Sequence, residues 1–171
     1  MQVRDLSAQE YQALLIRMNA NPPIEQLPVW QEYEATIPDR TFWGYCAIEA
    51  SSVEAVCAFM DYKTHGYHFL RAHHAPVWAQ KPSASEEQAA LESLRTYARK
   101  KDKRLAFIRL CVLHELPLCR PVLSSVPYYA TVIVDLRGGD EQILARMKPR
   151  GRRDVRKALR ECNCTFADET E

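Results

Sequence analysis

The chain has 171 residues, 47% hydrophobic and 26% charged, an ordinary balance for a soluble globular protein rather than a fibrous or low-complexity one. No apolar run approaches the roughly 18 residues that span a bilayer, and Met1-Gln2-Val3-Arg4-Asp5 lacks the apolar core of a signal peptide, so the expected location is cytoplasmic. The formal net charge of +1 conceals an asymmetry: residues 146–160 hold eight Lys and Arg against the single acid Asp154, leaving the rest of the chain net acidic, and such a concentrated basic segment points to an anionic partner.

Residues 1–6 alternate weakly and can open a sheet. Ser7-Ala8-Gln9-Glu10 is a capping box, followed by Tyr11, Leu14, Leu15 and Met18 at helical spacing. Asn21-Pro22-Pro23 stops that helix, and a second helix fits residues 27–35 with Pro28 in its first turn. After a turn at Pro38-Asp39 come three strand-like runs, 41–49, 53–62 and 67–72, whose short separators predict an antiparallel meander. Pro76 and Pro82 frame a loop. Ser85-x-x-Gln88 then opens a helix with Ala90, Leu91, Leu94, Tyr97 and Ala98 on one face, ended by Lys100-Lys101-Asp102-Lys103.

Residues 105–113 form a near-continuous apolar run, the pattern of a strand covered on both faces. A connection over 117–127 leads to a strand at 128–136. Beyond Gly138-Gly139, Asp140 is expected to cap a helix through Met147 that Pro149 breaks. A second helix covers 151–162, with an apolar stripe of Val155, Leu159 and Cys162 beside a basic row. Residues 164–167 can begin another strand. This order of elements is that of an N-acetyltransferase-like (GNAT) fold: a mixed, mostly antiparallel sheet flanked by helices, α+β in class.

Six cysteines match no disulfide framework. Cys46, Cys57 and Cys111 sit in apolar runs as small hydrophobes, and Cys162-x-Cys164 lacks partner ligands for zinc. Adjacent histidines on a strand face opposite sides, so His73-His74 cannot chelate one metal, and His65, His68 and His114 add no zincin-type spacing. No metal is therefore expected. Arg109 interrupts an apolar strand and, at period two, shares a face with Phe107 and Cys111; a buried Arg there needs a partner, either substrate or a structural carboxylate. Trp30, Trp43 and Trp78 read as core or cleft wall.

The loop before the main helix, 75–85, has no glycine, and none of the five glycines forms GxGxxG or GxxxxGK. Acetyl-CoA, dinucleotide and nucleotide-hydrolysis chemistry are disfavoured accordingly. Arg152, Arg153, Arg156, Lys157 and Arg160 suit phosphate recognition in RNA or a pyrophosphate-linked precursor, against the bland reading of a solvated helix face.

Several segments resemble the Fem-type (FemABX) peptidyltransferases. They are Gln26-Leu27-Pro28-Val29-Trp30; Arg71-Ala72-His73-His74-Ala75-Pro76-Val77-Trp78; Phe107-Ile108-Arg109-Leu110; and Thr131-Val132-Ile133-Val134-Asp135-Leu136. After the last come Leu144-x-x-Met147 and Arg153-Asp154-Val155-Arg156-Lys157-Ala158, the most specific stretch. The resemblance implies an aminoacyltransferase that needs no cofactor. It would use aminoacyl-tRNA as co-substrate to extend the stem peptide of a lipid- or nucleotide-linked peptidoglycan precursor, working in the cytoplasm with peripheral contact at the inner membrane face. It also implies two GNAT-like domains: residues 1–138 would be the first, and 139–171 the opening helices of a truncated second. Substrate contacts would fall on Gln26, Trp30, His74, Trp78 and Arg109, with anion or RNA contacts on the basic helix; no catalytic residue is assigned. Two positions depart from the family pattern. Glu34 stands where a phosphate-contacting Lys is usual, and Cys111 where an Asp often ends the strand. Glu34 is thus expected to repel a phosphate.

Overall fold

A computed structural model describes residues 1–18, 22–50, 54–122, 132 and 134–162. The chain divides into two compact units, Met1–Pro121 and Val122–Glu171, and the expected domain boundary at residue 138 falls inside the second.

The first unit runs β1 (Gln2–Leu6), α1 (Ala8–Met18), a 3-10 turn (Ile24–Gln26), α2 (Pro28–Ala35), β2 (Arg40–Glu49), β3 (Glu54–Thr64), β4 (Tyr67–Arg71), β5 (Val77–Trp78), α3 (Ala84–Lys101) and β6 (Leu105–Arg109). The strands lie in the order β1-β2-β3-β4-β6, with β5 also paired to β3. Every pairing is antiparallel except β4 with β6. This is the expected mixed, mostly antiparallel sheet flanked by helices. The meander follows from local chemistry: Thr64 pairs with Tyr67 across His65-Gly66, both at positive φ (47° and 81°), the two-residue turn whose twist matches its flanking strands.

Helices cover both faces. On one, Ala90, Leu91, Leu94 and Ala98 of α3 pack with Cys46, Ile48, Ala55, Cys57, Phe59 and Leu70. On the other, Tyr11 and Leu15 of α1 pack with Tyr45, Ala47, Val56, Ala58 and Val77. Alternate residues of β3 supply the two cores, as the period-two pleat requires. Ser7 and Glu10 form their reciprocal cap at the start of α1, at 2.8 and 3.2 Å.

Several expectations are corrected. The box that opens α3 is Ser83 with Glu86, because Ser83 holds the extended conformation of a cap (φ −70°, ψ 163°) while Ser85 already lies inside the helix. The apolar run at 105–113 is a strand only over Leu105–Arg109. Among the described residues it ends the strand order, and Ala106 and Phe107 are exposed rather than covered. Cys111 is exposed as well.

The second unit contains α4 (Gly139–Arg146) and α5 (Pro149–Glu161). Gly138 caps α4 in the left-handed region at φ 93°, which places Asp140 in the first turn and not at the cap. Pro149 starts α5, where its missing N–H is one the first turn leaves unbonded anyway. Neither helix buries a residue. The strand expected at 128–136 lies largely outside the described residues, as does the one at 164–167; positions 132 and 134–136 are described and are not strand.

Leu94, fully buried between α3 and the sheet, gives the packing a direct test. Leu94→Ala is expected to cost about 2–5 kcal/mol in urea denaturation. Ile16→Ala, at a position 68% exposed, should stay within about 0.5 kcal/mol of the parent.

Candidate functional site

Two places in the chain gather chemistry. In the first unit it is the sheet face that carries α1 and α2, beyond the edge of those helices. Cross-strand register sets two rows there. Arg40 pairs with Tyr62, Tyr62 with Phe69, and Phe69 with Phe107; two residues along, Phe42 pairs with Met60, Met60 with Arg71, and Arg71 with Arg109. The rings form a ladder: Tyr62 and Phe69 stack with centroids 5.3 Å apart, Phe69 and Phe107 at 4.7 Å and 18°. The guanidiniums of Arg40 and Arg71 lie 4.9 and 5.6 Å from the Tyr62 ring centre, within cation–π range.

Glu34 has partners within the fold. Its carboxylate is buried and accepts from Arg40 Nη1 at 3.0 Å and from the Tyr62 hydroxyl. It fixes Arg40 over the sheet. Burial, then the hydrogen bond to Glu34, pushes the Tyr62 hydroxyl up to about 12, so it remains a donor. Burial chiefly, then the charges of Arg109 and Arg40, pulls the Arg71 guanidinium below its usual value. Burial and the Arg71 charge also lower His73. A neutral His73 can accept at Nδ1 from Arg71, 3.5 Å away.

The residues singled out in the sequence are not brought to one point. Gln26 is fully buried. Its side-chain oxygen accepts from Ala58 N at 2.9 Å and the Tyr11 hydroxyl at 3.1 Å, and its nitrogen donates to His73 O at 2.8 Å. It pins the 3-10 turn to β3 and to the 72–76 turn. His74 projects outward from that turn at φ 51°, 3.5 Å from Glu25. Trp30 packs on Tyr33 at 5.4 Å, with its indole N–H unpartnered among the described residues. Trp78 packs against the α3 core, on the opposite sheet face from Arg109. Arg109 stands beside Arg71 across the parallel β4–β6 pair. Sequence reasoning missed Arg40, Tyr62 and Arg71; an Arg at each of two strand ends was the available signal.

The N-terminus of α3, where an acyl-CoA diphosphate would need free N–H groups, carries a capping box. Ser83 and Glu86 cap each other, and Glu86 and Glu87 occupy the first turn. Glu87 is fully buried and accepts from Leu113 N at 2.8 Å and from His114 Nδ1 at 2.6 Å.

In the second unit, Arg152, Arg153, Arg156, Lys157 and Arg160 line a depression of about 370 Å³ with Pro149. Asp154 pairs with Arg153 at 3.5 Å, and Glu161 with Lys157 at 3.7 Å and Arg160 at 2.8 Å. Arg156 makes no ion pair among the described residues. Among those residues no three His, Cys, Asp or Glu side chains could hold a metal ion, and no helix is long and apolar enough to cross a membrane.

No family model and no curated protein matches the chain. Among solved structures it is similar to one described as the crystal structure of FemX, at 18% identity and a TM-score of 0.44, over 61% of this chain and 25% of that one. The chain thus spans about a quarter of that protein's length.

Removing the Glu34 charge tests its organising part. Glu34→Gln should lower stability by about 1–3 kcal/mol in chemical denaturation, since Arg40 loses its carboxylate and the Tyr62 hydroxyl a strong acceptor. An unchanged midpoint would show that Arg40 is held by other contacts.

Proposed function

We propose that the chain is the amino-terminal part of a Fem-type aminoacyltransferase. Residues 1–138 form its first GNAT-like domain and 139–171 open a second. The reaction is aminolysis: a free amine on the stem peptide of a peptidoglycan precursor attacks the ester carbonyl of aminoacyl-tRNA. The C–N bond forms, the ester C–O bond breaks, and the tRNA hydroxyl leaves with a proton. Such a step depends on positioning and a deprotonated amine more than on a covalent intermediate.

The observation that carries this reading is the capped N-terminus of α3 on an acyltransferase-like sheet. Two first-turn carboxylates and a completed capping box disfavour a CoA diphosphate there and support an acyl donor of another kind. The basic face of α5 supports a phosphate-rich donor: guanidiniums repeating every four residues track a phosphate backbone without reading bases. Arg109, His74 and Trp30 are the residues proposed to touch the precursor. Gln26 holds the His73–His74 turn in place, and Trp78 anchors β5 to the core under α3.

The measurement is amino-acid transfer from a charged tRNA pool to lipid-linked or nucleotide-linked precursor, by the longer protein and by the 171-residue chain in parallel. Transfer by the longer protein alone is expected, together with no thermal shift of the chain by acetyl-CoA. Stabilisation by acetyl-CoA would overturn the reading in favour of an ordinary N-acyltransferase.

A second reading rests on α5 alone: a non-catalytic module that binds RNA or anionic lipid through Arg152, Arg153, Arg156, Lys157 and Arg160. Under either reading, the double change Arg156→Glu and Lys157→Glu should abolish salt-dependent RNA retention in a filter-binding assay. Unchanged retention would assign the basic face to structure.

A further inference from the structure

Cys46 of β2 and Cys57 of β3 are direct cross-strand partners. Opposed residues of an antiparallel pair point to the same side of the sheet, and here that side is the core under α3. Both side chains are fully buried. Along the same face, Ile48 opposite Ala55 follows the pair on one side and Gly44 opposite Phe59 on the other. The two thiols lie within hydrogen-bonding reach of each other, so their sulfurs meet inside the core.

As small apolar fillers, Ala or Val would serve packing at these positions as well. Two facing sulfurs have a further chemistry. Opposed residues of an antiparallel pair hold their Cα atoms about 4.5–5.5 Å apart, inside the roughly 4.4–6.8 Å that a disulfide spans. The bond can therefore close by rotation of the two side chains, with no slip in strand register.

We propose that Cys46 and Cys57 are a reversible redox pair, which hydrogen peroxide converts to a disulfide that staples β2 to β3. One sulfur, as its thiolate, attacks a peroxide oxygen; the O–O bond breaks, hydroxide leaves and takes up a proton as the first water, and a sulfenic acid remains. The second thiol then attacks that sulfur. The S–S bond forms, the S–O bond breaks, and the hydroxyl leaves with the thiol proton as the second water. Two electrons pass from the sulfurs to the peroxide. A reducing dithiol reverses the bond by exchange.

The fold also sets when the bond forms. Leu91, Leu94 and Ala98 of α3 belong to the same core cluster as the pair. Burial first, then the neighbouring Cys46 thiol, pushes the Cys57 thiol up, so the closed core holds little of the reactive thiolate. Oxidation therefore waits on a local opening of α3, and the pair records that opening as well as the presence of oxidant. Cys111 and Cys162 are exposed, so they meet the same oxidant without any opening. This chemistry is independent of any transfer reaction.

The test uses the 171-residue chain with Cys111, Cys119, Cys162 and Cys164 changed to Ser, which leaves the pair as its thiols. Circular dichroism confirms that it is folded. The folded protein is held with hydrogen peroxide for hours, quenched, and alkylated in denaturant, and mass spectrometry counts the thiols and locates the bond. The expected product has residues 46 and 57 joined, is restored by dithiothreitol, and melts about 5 °C or more above the reduced protein. Leu94→Ala, which loosens α3 over the pair, should speed its formation by about tenfold or more. Two thiols still open to alkylation, or sulfinic acid at either position in place of the bond, would overturn the redox pair. An unchanged rate in Leu94→Ala would overturn the gating by α3, and a melting temperature that does not rise would overturn the staple.

Discussion

β3 is buried over eight consecutive residues, Ala55 to Tyr62, and the architecture of the first unit depends on that strand having two dry faces. β2, β4 and β5 all pair with it. Its odd positions feed the core under α3 and its even positions the core under α1. A one-residue slip would exchange the two sets and push Cys57 and Phe59 against α1, where Val56 and Ala58 now fit. Each fully buried large side chain contributes about 1.5–3 kcal/mol, so register is held by many such terms at once. The small residues Ala55, Cys57, Ala58 and Ala47 let the helices approach closely on both sides.

Polar groups inside this frame are few, and those present hold parts together that packing alone would leave loose. Gln26 joins three segments through one amide, because Tyr11, Ala58 and His73 each meet it from a different element. Glu87 does the same at the start of α3, where it ties the 113–114 loop to the helix. Glu34 ties α2 to β2 and β3. A buried acceptor left without its donors costs about 1–3 kcal/mol, more when charged, so each such group specifies one arrangement of its neighbours. The two sheet faces therefore differ in use. The α3 side is lined by apolar side chains, while the α1 side carries the arginines of β2, β4 and β6.

The second unit follows another rule. Neither α4 nor α5 buries a side chain, and Leu159, Val132, Val134 and Leu136 are all more than 60% exposed. Its organisation is electrostatic along a single helix. Cations at 152, 156 and 160 rise along one face, and Asp154 and Glu161 brace their neighbours. Exposed ion pairs of this kind contribute little to stability, so the arrangement of α5 bears on what the helix meets more than on how it is held.

Local chemistry in the sequence determined most of the elements. The Ser7–Glu10 box, the meander with His65-Gly66 at its turn, the apolar stripe of α3 and the basic row of α5 are all written in neighbouring residues, because helix and strand periods and turn preferences act over a few positions. Where the signal was ambiguous at short range, the sequence reading slipped. Two serines stood near the start of α3, and only the extended backbone at Ser83 decided which one caps it. Residues 105–113 had the composition of an interior strand, but a strand's place in the sheet depends on which other strands pair with it, and among the described residues β6 pairs with β4 alone. Glu34 was read from its charge alone, with no partner in view. Tertiary structure brought Arg40 and Tyr62 to it from separate strands and turned it into the anchor of a cationic face. Arg71, Arg109 and Phe107 were visible in the chain as isolated residues. Their grouping was decided by strand register, a relation between residues far apart in sequence that no local period encodes.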